Sequence, residues 1–155
     1  MIKMSVRLRN VNQFDFRFLY NLLKERNPNA NISHKKIPTY SEHVKFVKSK
    51  PYTKWNVIEY GKQKAGSIYL SKNDEIGIFL KKQFQGKNIA QESLELFMKM
   101  NTRKRYLANI SPKNKGSQKF FKKSGFKLIQ HTYEFQSNWF LCMILNFKTK
   151  VEILL

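Results

Sequence analysis

One segment, Ile76 to Ala90, constrains the fold more than any other part of the chain, because it predicts a strand, a short polar loop and a helix in immediate succession. The first turn of a helix has backbone N–H groups without intrahelical partners and carries the positive end of the helix dipole, so it favours phosphate oxygens. Gly86 lets a ligand approach the backbone closely. Asn88 stands where a positive φ is useful, and asparagine tolerates that conformation better than most residues. The segment therefore predicts a sheet with a phosphate-binding turn at the end of one strand.

The rest of the chain predicts a mixed α/β sheet with helices on both faces. A capping box, Thr39 with Glu42, indicates where the second helix begins. No internal repeat and no Gly/Ser-rich linker is visible, so we expect one domain over residues 1–155. The predicted strands are 5–10, 55–60, 65–70, 75–80, 106–110, 127–135 and 139–147, and the predicted helices are 13–26, 39–50, 87–99 and 113–124.

The strongly basic charge indicates anionic partners without specifying them. Thirty Lys and Arg against ten Asp and Glu give a formal net charge of +20, which favours nucleic acid, phosphorylated ligands or acidic surfaces. Only six of the basic residues are arginine, the side chain on which nucleic-acid recognition most depends. Abundant Lys, Asn, Ile and Phe are also what an AT-rich genome encodes. Genome bias is therefore an alternative origin of the charge, and nucleic acid is not the partner that we expect.

Several classes of function are disfavoured by what the sequence lacks. One cysteine, Cys142, permits no intrachain disulfide, and together with three histidines it shows no metal-ligand spacing, so we expect no metal. No Ser-His-Asp or Cys-His arrangement for nucleophilic catalysis is recognisable. The start of the chain lacks the apolar core of a secretory signal, and the longest apolar run, 139–145, is too short to span a bilayer. We therefore expect a cytoplasmic protein.

Two motifs resemble those of a known superfamily. The loop Gln85–Ala90 is similar to the Gln/Arg-x-x-Gly-x-Gly/Ala signature of the GNAT (Gcn5-related N-acetyltransferase) superfamily. Residues Asn114–Phe126 resemble its Asn-x-x-Ser/Ala-x-x-x-Tyr/Phe-x-x-x-Gly-Phe segment. The predicted strand order also matches, so the resemblance covers nearly the whole chain. Asn88 departs from the pattern, because the superfamily usually has a second glycine there. The resemblance implies an N-acetyltransferase with a GNAT-like, mostly antiparallel sheet.

The resemblance also implies where the co-substrate binds. The sheet would splay between its fourth and fifth strands, and acetyl-coenzyme A would lie in the gap, with no metal. Its pantetheine would pair with strand backbone, its pyrophosphate with loop amides, and its sulfur would lie near the second motif. The implied coenzyme-binding residues are Ile78, Phe79, Leu80, Gln85, Gly86, Lys87, Asn88, Ile89, Ala90, Asn114, Ser117 and Phe121.

Acetyl transfer to an amine needs a base, an oxyanion donor and stabilisation of the departing thiolate. Members of the superfamily often carry a carboxylate near the position of Glu75, which is the candidate base; a solvated strand end is the alternative. A backbone N–H around Phe79 is the candidate oxyanion donor. Many GNAT enzymes have a tyrosine that acts as general acid for the departing thiolate where this chain has Phe121, which cannot donate a proton. Asn114 and Ser117 share its helix face and are the candidate catalytic groups, whereas a helix cap and a packing residue are the alternatives.

The acceptor is the least determined part of the prediction. His43, in the region that generally shapes the acceptor pocket of the superfamily, is the candidate substrate-binding residue, with a surface histidine as the alternative. Residues 22–27, 37–41 and 42–47 resemble acetyltransferases of nucleotide-linked amino sugars, of the pseudaminic acid pathway type. A small-molecule amine such as a nucleotide sugar is therefore the expected partner. The alternatives are an N-terminal acetyltransferase of the ribosomal-protein type and a non-enzymatic nucleic-acid- or ribosome-binding module on the same fold. A homodimer is left open.

Overall fold

The structure is a computed structural model that describes residues 5–26 and 36–134. It confirms the predicted mixed α/β class, with strands and helices in the predicted order from the first strand to the third helix. Within these residues, no helix is both long and apolar enough to cross a membrane. The elements are β1 Val6–Asn10, α1 Phe16–Lys24, α2 Tyr40–Lys48, β2 Lys54–Tyr60, β3 Gln63–Leu70, β4 Ile76–Leu80, α3 Ile89–Met100 and α4 Lys115–Lys123, with short 3-10 turns at Gln13–Asp15 and Lys82–Phe84.

The four strands form one antiparallel sheet in the order β1-β2-β3-β4. Ile58 pairs with Leu8 of β1, and Ile68 of β3 pairs with Ile78 of β4. Side chains alternate between the two faces of a sheet, so these apolar residues lie on one face. Residues of the 3-10 turn after β4, of α3 and of α4 pack on this face and complete the core. The buried core residues are Ile58, Ala65, Ile68, Leu70, Ile76, Phe84, Ile89, Leu94, Phe97 and Phe121.

The opposite face of the sheet is covered by α1 and α2. Trp55 of β2 lies on this face, and the ring of Phe46 in α2 packs edge-on against it with 6.2 Å between ring centroids. The predicted capping box of α2 is confirmed: the Oγ1 of Thr39 accepts from the Glu42 N–H at 3.3 Å, and the Glu42 carboxylate accepts from the Thr39 N–H at 2.7 Å. This reciprocal pair fixes the start of α2.

The predicted fifth strand, 106–110, is reduced to a single parallel bridge. The N–H of Ile76 donates to the carbonyl of Leu107 at 2.7 Å, and the N–H of Leu107 donates to the carbonyl of Asp74 at 2.8 Å. Beyond this bridge the two segments diverge. Residues 108–110 therefore have no ladder partner in the described part of the chain, and the strand prediction is wrong there. The divergence is the splay that the resemblance implied.

The sixth predicted strand is also corrected. Residues 127–134, the described part of the prediction for 127–135, form no strand. Leu128 and Ile129 are 76% and 73% exposed, so the apolar residues of this segment are not buried as those of a packed strand would be. The predicted partner, strand 139–147, lies outside the described residues, as does the last residue of this one.

A buried carboxylate, that of Asp15, links the 3-10 turn before α1 to strands β1 and β3. Its side chain is fully buried and accepts hydrogen bonds from the Arg9 guanidinium at 2.7 and 2.8 Å and from Lys64 Nζ at 2.7 Å. It also accepts from the backbone N–H of Asn12 at 2.9 Å. Burial by itself raises the pKa of Asp15, but the hydrogen bonds from Arg9 and Lys64 outweigh it and hold that pKa well below its usual range.

Candidate active site

A cleft of about 80 Å³ opens where β4 and residues 108–110 diverge. It brings together the candidate catalytic residues Glu75, Asn114 and Ser117 and the middle of β4. Leu80 and the turn 85–90 lie outside its lining. The lining residues are Arg26, Tyr69, Glu75, Ile76, Gly77, Ile78, Phe79, Asn109, Ile110, Asn114, Ser117 and Phe121.

The backbone of β4 presents its polar groups to the cleft at every second residue. The carbonyl of Glu75 accepts from the Ser71 N–H at 2.9 Å, on the β3 side, whereas the N–H of Ile76 donates to the diverging segment. The period of two then puts the N–H of Ile78 on the open edge and the N–H of Phe79 against β3. The expected oxyanion donor is therefore moved by one residue, from Phe79 to Ile78.

The carboxylate of Glu75 is held at the mouth of the cleft by two side chains. Its Oε1 accepts from Asn109 Nδ2 at 2.8 Å, and its Oε2 accepts from Ser71 Oγ at 3.0 Å. Each carboxylate oxygen has a second lone pair, so both hydrogen bonds leave capacity to accept a proton. The two hydrogen bonds fix the Glu75 carboxylate in the lining of the cleft, whereas a carboxylate at a solvated strand end would have only water as its partner.

The first turn of α4 contributes an amide and a hydroxyl to the cleft. The Oδ1 of Asn114 accepts from the Ser117 N–H at 3.0 Å, which makes Asn114 the cap of the helix while it also lines the cleft. The Oγ of Ser117 has no hydrogen-bond partner among the described residues, so it is free to meet a ligand. Phe121, one turn further on, is 6% exposed and belongs to the core, where its ring packs against Phe126 with centroids 5.0 Å apart.

The predicted phosphate turn, Gln85 to Ala90, follows β4 and is mostly exposed. Gly86 has a φ of 73° and Asn88 a φ of 62°, which confirms the predicted positive φ at Asn88. A Cβ built on Gly86 would meet no atom within 4 Å, so the space beside its backbone is open. The first backbone hydrogen bond of α3 runs from the N–H of Glu92 to the carbonyl of Asn88. The backbone N–H groups that come just before Glu92 therefore have no partner within the helix and are available to a ligand. Open space, free amides and neighbouring lysines fit a pyrophosphate.

Arg26, at the end of α1, is a cleft residue that sequence reasoning missed. Its guanidinium carbon lies 4.0 Å from the centroid of the Phe79 ring. Its Nε is buried and has no hydrogen-bond partner among the described residues. Burial lowers the pKa of Arg26, and the nearby phenols of Tyr69 and Tyr52 oppose this only in part. In the sequence, an arginine just before Asn27-Pro28 indicates only that a helix ends there, and nothing marks it as part of a binding site.

Tyr69 forms a wall of the cleft beside Arg26, and Tyr52 packs against it. The rings of Tyr52 and Tyr69 stack with centroids 3.9 Å apart and planes at 11°. Burial raises the pKa of Tyr52, so its phenol stays protonated at neutral pH. A Cβ on Gly77 would overlap the Tyr69 ring, which explains the glycine inside β4. In the sequence, a glycine inside a predicted strand can indicate that another group approaches the backbone closely at that position.

His43 lies away from the cleft. It is 5% exposed between α1 and α2, with its ring 5.4 Å from that of Tyr20, and its Nε2 has no hydrogen-bond partner among the described residues. Burial lowers the pKa of His43, and a hydrogen bond to the Phe16 backbone only partly opposes this. The structure therefore separates His43 from the other candidate site residues. In residues 5–26 and 36–134, no group of three or more His, Cys, Asp or Glu could hold a metal ion.

Comparison with known proteins adds independent evidence. The family model described as an acetyltransferase (GNAT) domain matches residues 6–127. A domain from Methanocaldococcus jannaschii DSM 2661 is similar with a TM-score of 0.74 and 24% identity, over 85% of this chain and 94% of that one. An N-acetyltransferase from Staphylococcus aureus Mu50 is similar with a TM-score of 0.65 and 19% identity, over 85% of this chain and 92% of that one. RimL, a ribosomal L7/L12 alpha-N-protein acetyltransferase in complex with coenzyme A, is similar with a TM-score of 0.69 and 19% identity, over 84% of each chain. No curated protein matches significantly in sequence.

Proposed function

The chain belongs to the acetyltransferase (GNAT) family, and on that premise we propose that it moves an acetyl group from acetyl-coenzyme A directly to a primary amine. The observation that carries this proposal is the cleft beside β4, which joins the carboxylate of Glu75 and the free hydroxyl of Ser117 to an open strand edge. An acceptor ammonium must lose a proton, and a departing thiolate must be stabilised. The test is thiol release from acetyl-coenzyme A across a panel of amines.

The coenzyme would be held mainly by backbone groups. The carbonyl of Ile78 and the N–H of Leu80, which the period of two also places on the open edge, would pair with the pantetheine. The amides of Gly86 to Ala90 would bind the pyrophosphate, whereas that of Gln85 already donates to the carbonyl of Lys82. Lys81, Lys82 and Lys87 add positive charge around that turn. The similarity to an acetyltransferase solved with coenzyme A supports acetyl-coenzyme A as the co-substrate.

The residues of the cleft divide the chemistry between them. The bound thioester supplies an electrophilic acetyl carbon, and the carbon–nitrogen bond forms as the carbon–sulfur bond breaks. The second proton that the nitrogen loses on becoming an amide would pass to the departing thiolate. Glu75, oriented by Asn109 and Ser71, would accept the proton from the acceptor ammonium. The N–H of Ile78 would stabilise the developing oxyanion. Ser117 would donate a hydrogen bond to the departing sulfur, because Phe121 offers no hydroxyl there.

Replacing Gly86 with valine should remove most of the stabilisation by coenzyme. At about 100 times its Kd the coenzyme adds roughly 2.7 kcal/mol to the free energy of unfolding, which for a chain of this size raises the Tm by roughly 5–10 °C. A branched side chain at a φ of 73° would distort the turn and fill the open space beside its amides. Thermal unfolding with and without acetyl-coenzyme A measures the difference.

The matched control for this prediction is Gly125→Val. Gly125 also has a positive φ, 89°, and open space around its Cβ position, but it follows α4 and is not part of the turn. This variant should keep the full coenzyme-induced shift, although its own Tm falls. A normal shift in Gly86→Val would locate the pyrophosphate somewhere other than the turn.

Replacing Ser117 with alanine should lower kcat about tenfold while leaving the Kd of coenzyme A nearly unchanged. A hydrogen bond that forms mainly as the sulfur departs contributes roughly 1–1.5 kcal/mol to the transition state. Steady-state kinetics and calorimetric titration with coenzyme A separate the two effects. Ser124→Ala is the control, because Ser124 caps the end of the same helix but donates to Gln91 and to the backbone carbonyl of Phe120. Unchanged kcat in Ser117→Ala would make this serine a packing residue.

For the acceptor, we propose a small-molecule amine, with a nucleotide-linked amino sugar as the specific candidate. The net charge of +20 supports an acceptor that carries phosphate groups. A peptide N-terminus is the second candidate, favoured by the similarity to the ribosomal L7/L12 alpha-N-protein acetyltransferase. Thiol-release rates with UDP-amino sugars and with peptides derived from ribosomal proteins would decide between them.

A further inference from the structure

We propose that the acceptor amine also carries an anionic group, a carboxylate or a phosphate, and that Arg26 binds this group while Glu75 takes the ammonium. The inference rests on the proposed function, because it requires that the acceptor enter the cleft beside β4. It adds a substrate class, since an amine without a negative charge would leave Arg26 unpaired.

Arg26 is a cation without a counter-ion in the described part of the chain. Its Nε is buried without a hydrogen-bond partner, and no described carboxylate forms an ion pair with it. The neighbouring carboxylate, Glu25, is turned elsewhere, since its Oε2 accepts from the backbone N–H of Lys82 at 3.4 Å. A partly buried, unpaired guanidinium costs free energy, and an arriving oxyanion would recover it through charge-assisted hydrogen bonds.

The position of Arg26 distinguishes the acceptor from the coenzyme. Its guanidinium lies over the ring of Phe79, on the face of the sheet that α1 and α2 cover. The phosphates of the coenzyme are proposed to lie at the turn Gln85–Ala90, which does not line the cleft. The pantetheine that would run along β4 is uncharged. The anion that meets Arg26 must therefore belong to the acceptor.

The cleft is polarised in a way that suits a zwitterionic acceptor. Arg26 and Glu75 both line it, yet they form no ion pair with each other. Both act electrostatically on the phenol of Tyr52, which stacks on Tyr69. A neutral aromatic wall beside a cation and an anion would accept a molecule with its anionic group at one charge and its ammonium at the other.

The test compares amines that differ only in the anionic group. Calorimetry measures the Kd of each acceptor for the enzyme–coenzyme A complex, and thiol release measures kcat/KM. Glucosamine 6-phosphate against glucosamine tests phosphate, and alanine against alaninamide tests carboxylate. We expect at least one anionic member to bind about tenfold or more tightly than its neutral partner. Equal affinities in both pairs, including no detectable binding by any of the four, would overturn the proposal.

Variants of Arg26 assign the preference to this side chain. Arg26→Gln should weaken the anionic amine about tenfold to a hundredfold and the neutral one less than about threefold. Arg26→Lys should restore part of the preference, because it keeps the charge but loses the planar fork. Arg17→Gln is the matched control, since Arg17 also lies over an aromatic ring, that of Tyr40 at 3.7 Å, but is exposed on the outside of α1.

The outcomes separate this inference from the proposed function. Thermal stabilisation by acetyl-coenzyme A in the wild type and in Arg26→Gln reports the coenzyme site without any acceptor. If that shift is absent from the wild type, the proposed function fails. If it is present and Arg26→Gln weakens neutral and anionic amines equally, Arg26 is a structural residue and only the inference fails. The wild-type comparison stands even if the variant does not fold.

Discussion

Replacing Glu75 with glutamine is expected to lower kcat about a hundredfold at pH 7, the usual loss when a general base is removed. Glutamine keeps the size of the side chain and an oxygen to accept from the Ser71 hydroxyl, and the side-chain amide of Asn109 can flip so that its oxygen accepts from the new NH2 group. The cleft should therefore keep its shape. Only the capacity to take a proton from the acceptor ammonium is lost.

The pH profile tests the assignment of Glu75 directly. As the pH rises, more of the acceptor amine is already deprotonated in solution, so the variant should recover towards the wild type. Asp74→Asn is the control, because Asp74 precedes Glu75, contacts Arg103 at 3.4 Å and does not line the cleft. Its φ of 62° also suits asparagine. A defect of constant size from pH 6 to pH 9 would show that Glu75 supports the structure and moves no proton.

Replacing Asp15 with asparagine is expected to lower the free energy of unfolding by about 2–4 kcal/mol, because it leaves the partly buried charges of Arg9 and Lys64 without their shared anion. It also weakens the turn before α1, where the Asp15 carboxylate accepts from the Asn12 N–H. Urea unfolding at pH 7 measures the loss. Glu59→Gln is the control: Glu59 accepts from Arg9 Nε at 2.6 Å but is partly exposed, so its loss should cost less than about 1 kcal/mol.

The same variant has a predictable dependence on pH. The pKa of Asp15 is lowered on folding, so the ionised side chain stabilises the native state above the unfolded pKa of about 4. That contribution is lost as the pH falls from about 4 towards the folded pKa. The stability difference between wild type and Asp15→Asn should therefore be full at pH 7 and smaller at pH 3. A difference that grows on acidification would contradict the ion-pair explanation.

The features that sequence predicted best are those with local causes. The capping box of Thr39 and the positive φ of Asn88 depend on residues within a few positions, and both are confirmed. The mixed α/β class followed from hydrophobic periodicity over whole elements. The same periodicity was misleading at 106–110, because whether an extended segment completes a ladder depends on a neighbour that diverges in space.

The lining of the cleft could be predicted only in part, because it depends on distant elements. Ser117 belongs to a motif, and Glu75 opens the fourth strand, where members of the superfamily often carry a carboxylate, so both drew attention from sequence. Arg26 comes from the far end of α1, and its burial and missing partner appear only when that helix packs over Phe79. His43 shows the converse: a titratable side chain on a suitable helix is turned towards α1 by the packing of α2 against it.

The open edge of β4 has a consequence for how the family can diverge. A ligand recognised by the amide of Ile78 is indifferent to the side chain that this residue carries, provided that the face towards α3 stays apolar. Substitutions can therefore accumulate at Ile78 without erasing this recognition, whereas proline, which has no N–H to offer, is excluded outright. A site built from main-chain groups places its constraint on the course of the backbone, and solved structures with only 19–24% identity to this chain share its fold.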